Sequence, residues 1–120
     1  MDELEKAQMI ATWAHRNQTD MADRPYIEHC ERVARAVRGN YVAECVAWLH
    51  DVVEDTVVTL TDLARMGFSQ AVLDGVDAMT QRPGEDLETY WGRVRENGHA
   101  KLVKVRGDIP DNSDERRLEY

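Results

Sequence analysis

A chain of 120 residues, 42% hydrophobic and 32% charged, has the size of one domain and enough apolar side chains for a single core. Three prolines, seven glycines and almost no apolar–polar alternation at period two exclude collagenous, low-complexity and all-β architectures. Fifteen basic against 23 acidic residues leave a net charge of −8, which repels a phosphate backbone and argues against a double-stranded nucleic-acid binder. A local site whose bound cation reverses the field remains compatible with that charge.

In chain order, Met1–Lys6 is acidic and polar without an apolar signal core, and no apolar run is long enough to span a bilayer. A cytoplasmic protein with no membrane partner is expected. Glu3–Asn17 carries Leu4, Ala7, Ile10, Ala11 and Ala14 at helical spacing and predicts a first amphipathic helix. After a polar loop, Asp23 ahead of Pro25 reads as the start of a second helix through Arg38, with Ile27, Cys30, Val33, Ala34 and Val37 on one face and Gly39 as its C-terminal cap.

Tyr41–Asp55 reads as one central, largely buried helix, with Tyr41, Val42, Cys45, Val46, Trp48, Leu49, Val52 and Val53 on a broad apolar arc. Thr59 or Thr61 can cap a short helix ending at Met66–Gly67, Ser69–Thr80 forms another, and Gln81–Glu85 with Pro83–Gly84 is a turn. Leu87–Glu96 and His99–Arg106 follow as helices separated by Asn97–Gly98, read as a C-terminal cap, and a last short helix is expected near Ser113. Cys30 and Cys45 lack metal-finger spacing and read as small buried hydrophobes rather than a disulfide, and Trp13, Trp48 and Trp91 read as core residues. The expected architecture is a single all-α domain over residues 1–120, with six or seven helices.

The chemistry concentrates in His50-Asp51-Val52-Val53-Glu54-Asp55. On a continuous helix Glu54, Asp51 and Asp55 lie about 40°, 100° and 140° round from His50, so one histidine and three carboxylates share the arc opposite the apolar one. Unpaired negative charges there are costly, so the cluster calls for basic partners or a metal ion, and imidazole with carboxylate suits a divalent transition metal. A solvated helix face is the plain alternative. His29 and Asp108 occur before and after this segment and complete a possible two-His, two-Asp set.

The landmarks Ala14-His15 with Gln18, Pro25-Tyr26-Ile27-Glu28-His29, Leu49-His50-Asp51, Glu54-Asp55-Thr56, Thr80, and Asp108 with Asn112 occur in one order over nearly the whole chain. In these the sequence resembles the HD-domain metal-dependent phosphohydrolases, and among them the small alarmone (ppGpp) hydrolases. The resemblance implies a compact HD-domain helical bundle and a Mn²⁺ ion, or another divalent metal, held by His29, His50, Asp51 and Asp108. It implies that Glu54 and Asp55 orient and deprotonate the attacking water. Asn112, Thr80 and Arg82 are candidates to bind substrate, with Lys101, Lys104 and Arg106 adding positive charge near Asp108. His15 reads as a structural histidine beside the site, and His99 as an exposed residue at a helix start.

The implied reaction is Mn²⁺-dependent removal of 3′-pyrophosphate from a guanosine or adenosine alarmone. Alternatives in the same chemistry are another nucleotide, the phosphate of NADPH or a pyrophosphorylated RNA end; a non-enzymatic nucleotide sensor or toxin-neutralising protein is the alternative outside it. The chain departs from the family where a basic residue usually follows the Ala-His block, since Asp20-Met21 stand there with Arg24 just before Pro25. The family's lysine three residues before the last aspartate is replaced by Val105, with Lys104 and Arg106 on either side. The sequence ends at Tyr120 where relatives continue into a further helix, so a more open site or a homodimer that completes it is expected.

Overall fold

The computed structural model describes residues 1–112. Along them run α1 (Glu3–Ala14), α2 (Ile27–Ala36), α3 (Tyr41–Leu49), α4 (Val52–Asp55), α5 (Leu60–Arg65), α6 (Gln70–Ala78), α7 (Leu87–Glu96) and α8 (Gly98–Val103). A π-helical turn (Lys104–Asp108) then leads into α9 (Ile109–Asn112). Among the described residues, seven of these helices have six residues or more, and the β pairing is one isolated bridge between Thr19 and Pro25. The fold is all-α, as expected; the last helix expected near Ser113 lies outside the described residues. No described helix is long and apolar enough to cross a membrane.

α3 is the axis of the molecule. Ala43, Cys45, Val46, Ala47 and Leu49 have no exposed surface, and α3 packs against α1, α2, α6 and α8. Burying side chains of this size stabilises the fold by about 1.5–3 kcal/mol for each Val or Leu. α6 approaches so closely that a Cβ on Gly75 would lie 2.6 Å from Val46 Cγ2, so only glycine fits there without repacking. Both cysteines are buried and free.

Side-chain caps set many of the helix starts: Asp2 and Thr59 form capping boxes with Glu5 and Asp62, and Asn40, Ser69, Asp86 and Asn97 accept backbone N–H groups. The second helix starts later than Asp23. That residue adopts φ +62°, and the Asp20 carboxylate accepts the N–H groups of Ala22 and Arg24, closing a loop that delays α2 to Ile27. Asn97 caps both α7 and α8, its own N–H bonding Val94 O while its side chain accepts from Ala100, so Gly98 is the first residue of α8 rather than a terminator. Trp48 and Trp91 pack in or against the core, but Trp13 is exposed with the Arg16 guanidinium 4.3 Å above its ring.

The expected continuous helix over 41–55 is broken. The His50 ring bonds Ala47 O through Nδ1 at 2.6 Å, taking a carbonyl that an unbroken helix would offer to the N–H of Asp51. α3 therefore ends at Leu49, and α4 restarts after Asp51. The single-arc arrangement of the four polar residues does not hold, and the break instead turns both His50 and Asp51 toward α2 and the π turn.

Candidate metal centre

His29, on the first turn of α2, meets His50 and Asp51 from the α3–α4 break and Asp108 from the end of the π turn. One ligand atom from each of the four lies within 4.8 Å of every other. His29 Nε2 is 3.2 Å from Asp108 Oδ1 and 3.6 Å from Asp51 Oδ2; His50 Nε2 is 3.2 Å from Asp108 Oδ1 and 2.9 Å from Asp51 Oδ2. Both histidines are buried.

The opposite ring nitrogens fix what these Nε2 atoms can be. His50 Nδ1 faces a carbonyl, which only accepts, so that nitrogen carries hydrogen. His29 Nδ1 lies 2.5 Å from Asp111 Oδ2 and donates to it. With Nε2 free of hydrogen, as a metal ligand must be, each ring directs a lone pair at the carboxylates of Asp51 and Asp108. His29 Nε2 is buried without a hydrogen bond. Two imidazole lone pairs and two carboxylates converging on one point repel one another unless a cation or a proton lies between them, so the donor set fits a divalent metal ion.

The electrostatics of His50, Asp51 and Asp108 say the same. Burial alone would hold His50 below the ordinary imidazole range, but Asp51 and Asp108 reverse that and push it well above. Burial likewise opposes ionisation of the acids, yet His50 and the Tyr26 hydroxyl draw Asp51 down to about 2, and His29, His50 and Lys104 hold Asp108 well below the carboxylate range. The site holds both carboxylates as anions and attracts positive charge to the space between them.

Local backbone chemistry delivers Asp108. The π turn replaces the ordinary helical register over Lys104–Asp108, and the buried Gly107 packs against Val33 of α2. A Cβ on Gly107 would come within 2.7 Å of Val33 Cγ1 and 3.0 Å of Val33 O. Of the two basic residues that flank Val105, Lys104 is the one on Asp108: its Nζ bonds Asp108 Oδ2 at 2.7 Å, the i,i+4 spacing of helix neighbours, and sits 5.3 and 5.4 Å above the rings of Tyr90 and Trp91. Arg106 and Lys101 are exposed.

Around this centre, Tyr26 donates its hydroxyl to Asp51 Oδ2 at 2.5 Å, and Asn112 Nδ2 donates to Asp108 Oδ1 at 3.1 Å. Glu54 and Asp55 are exposed on α4 at the edge of the site. Glu54 Oε2 accepts the N–H of Gln81 at 3.1 Å. Asp55 is raised to about 6 by partial loss of water and by the charges of Asp51 and Glu54. His15 donates from Nδ1 to Gln18 Oε1 at 2.6 Å, and Gln18 Nε2 donates to the Asp55 carbonyl at 2.8 Å. Thr80 and Arg82, just beyond α6, are turned back onto its end: the Thr80 hydroxyl donates to Val76 O, and Arg82 bonds Asp77 and the Thr80 carbonyl. Arg24, beside the missing basic position, pairs with Glu28 at 3.0 Å.

Two residues were not singled out in the sequence. Asp111 accepts from His29 and from Arg32 Nε at 2.6 Å, joining α9 to α2 beneath the site. Its one sequence signal is a second aspartate three positions after Asp108, the spacing of neighbours on a helix face.

No protein-family model matches the chain. Over 81 residues it is 33% identical to the bifunctional (p)ppGpp synthase/hydrolase SpoT of Escherichia coli K12, a match covering 65% of this chain. The same identity and coverage relate it to the guanosine-3′,5′-bis(diphosphate) 3′-pyrophosphohydrolases of Escherichia coli O157:H7 and Shigella flexneri. The chain spans about a tenth of the length of these curated relatives, 11% in each case. A solved structure described as a metazoan ortholog of SpoT that hydrolyzes ppGpp superposes with a TM-score of 0.74 at 25% identity, covering 98% of this chain and 79% of that one.

Proposed function

We propose that this HD-domain, ppGpp-hydrolase-like chain is a Mn²⁺-dependent phosphohydrolase that removes the 3′-pyrophosphate of a guanosine or adenosine alarmone. The observation that carries the reading is the convergence of two imidazole Nε2 lone pairs on Asp51 and Asp108, each ring fixed from behind by an acceptor on Nδ1. The ppGpp hydrolysis named for the relatives supports the substrate class. His29, His50, Asp51 and Asp108 would hold the ion. When bound, it supplies a Lewis acid that acidifies water and draws charge from a phosphoryl oxygen.

The chain's own residues divide the remaining work. Tyr26 and Asn112 hold the carboxylates of Asp51 and Asp108 in their inward orientation. Asp55 is ionised near neutral pH, because about 6 lies below it, and has the basicity to take a proton from water. Glu54, anchored by the Gln81 N–H, orients that water. The water oxygen bonds the phosphorus carried by O3′, the P–O3′ bond breaks, and O3′ leaves with the electron pair and is protonated. Pyrophosphate and a 3′-hydroxyl nucleotide result. Lys104, paired with Asp108, would add positive charge for the phosphate groups, and Thr80, Arg82 and Asn112, released from their bonds to the end of α6 and to Asp108, are the proposed substrate-side residues. A cytoplasmic location agrees with buried free thiols and a nucleotide substrate.

The test separates the roles. D51A is expected to lose Mn²⁺ binding and turnover together, while E54A and D55A keep Mn²⁺ and lose turnover. Metal-replete E54A and D55A with wild-type rates would overturn the assignment. Turnover of NADPH or of a pyrophosphorylated RNA end, with none of an alarmone, would move the substrate within the same chemistry.

A further inference from the structure

The two histidines of the centre are held in different ways. His50 is fixed by a backbone carbonyl, Ala47 O, which no substitution removes. His29 depends on a side chain, Asp111, supplied from the far end of the described chain 82 positions away. Asp111 is itself gripped on its other side by Arg32, through Nε to Oδ1 at 2.6 Å and Nη2 to Oδ2 at 3.2 Å. Arg32 lies one helical turn after His29, so both side chains leave the same face of α2 and close on one carboxylate of α9.

We propose that Asp111 and Arg32 form a latch that sets the tautomer and orientation of His29, and so determines how tightly the centre binds its cation. The inference rests on the metal reading above and adds two positioning residues to it. A buried imidazole with no acceptor on Nδ1 can place its proton on Nε2 or turn its ring, and either removes the lone pair directed at Asp51 and Asp108. Asp111 prevents both by accepting from Nδ1. Asp51, Asp108 and Asp111 also place three carboxylates around the two rings, and Arg32 balances the one that holds no place in the cation site. With its side chain about one quarter exposed, Arg32 reaches the latch from the rim, whereas Asp111 is largely covered.

The experiment is calorimetric titration of Mn²⁺ into chelator-stripped wild-type protein, D111A, D111N and R32M, which reads affinity without any substrate. D111A is expected to bind Mn²⁺ about ten- to a hundredfold more weakly than wild type. D111N keeps an acceptor for His29 Nδ1 and is expected to stay within about threefold of wild type, with R32M between the two. Wild-type affinity in D111A overturns the latch, as does D111N binding as weakly as D111A, because charge and not the hydrogen bond would then set affinity. If D111A fails to fold, R32M decides, since it leaves Asp111 in place; unchanged affinity there overturns the proposal. A wild-type protein that binds no Mn²⁺ overturns the underlying metal reading, a result distinct from failure of the latch.

Discussion

Gly107→Ala tests whether the π turn seats Asp108. The added Cβ would meet Val33 Cγ1 at 2.7 Å, Val33 O at 3.0 Å and Val33 Cα at 3.2 Å. The methyl can rotate aside, but the carbonyl and Cα belong to the backbone of α2, so relief requires the π turn and α2 to separate by several tenths of an ångström. Overpacking of this kind costs about 1–3 kcal/mol, and the helical preference of alanine over glycine returns about 1 kcal/mol of it. The net loss of up to about 2 kcal/mol lowers Tm by up to several degrees in a domain of this size. Val33 lies one turn beyond His29 and Gly107 adjoins Asp108, so the same separation stretches the 3.2 Å pairing between His29 and Asp108. Metal sites tolerate deviations of only about 0.2 Å, and Mn²⁺ affinity should fall at least about tenfold. Gly75→Ala is the control: its Cβ would strike Val46 Cγ2 at 2.6 Å, between α6 and α3, costing stability while leaving affinity unchanged. Thermal unfolding and Mn²⁺ titration of both variants decide the matter. G107A with wild-type affinity would show that the π turn does not seat Asp108, whatever the variant's stability.

Three further outcomes are expected. Y26F removes the hydroxyl that bonds Asp51 Oδ2 and should weaken Mn²⁺ binding by about ten- to a hundredfold, the range for a hydrogen bond to a charged group; titration checks it. Q18A frees the Asp55 carbonyl and lets the end of α4 drift, so kcat should fall about tenfold with Mn²⁺ affinity unchanged, as read by steady-state kinetics beside titration. The third concerns pH. His50 is raised in the folded state, so without metal its contribution to stability is complete below its unfolded value of 6.5 and is lost as pH rises through the higher folded value. Asp51 and Asp108 are depressed, so theirs is present above the unfolded value of 3.8 and is lost as pH falls through the folded values. Metal binding must displace the His50 proton, so the Tm gain from a fixed Mn²⁺ concentration should grow between about pH 6 and 8; a constant gain would contradict this.

Much of the fold was legible because it is written locally. Leu87–Glu96 appears at its expected bounds, and Gly39 and Gly67 take the positive φ that ends the segments before them. His29, His50, Asp51 and Asp108, drawn together from three parts of the chain, are the residues that sequence order and a family resemblance had singled out. What local pattern could not express was competition and long-range pairing. The His50 ring takes a backbone carbonyl and breaks a helix whose apolar periodicity continues past it. The π turn packs Gly107 on Val33, a tertiary contact that no local pattern encodes, whereas the Lys104–Asp108 pair has the ordinary i,i+4 spacing. The pairing of Asp111 with His29 spans 82 positions and leaves only a bare aspartate in the sequence. Thr80 and Arg82 could be named as phosphate ligands from residue type alone, but their present bonds to Val76 and Asp77 depend on how the end of α6 folds back.

Incubating the Mn²⁺-loaded protein with ppGpp and separating the products tests the proposed activity most directly. Stoichiometric pyrophosphate and GDP, abolished by chelator and absent with D51A, are the predicted result. Intact ppGpp after incubation with a protein shown to hold Mn²⁺, or release of phosphate from the 5′ side alone, would contradict it.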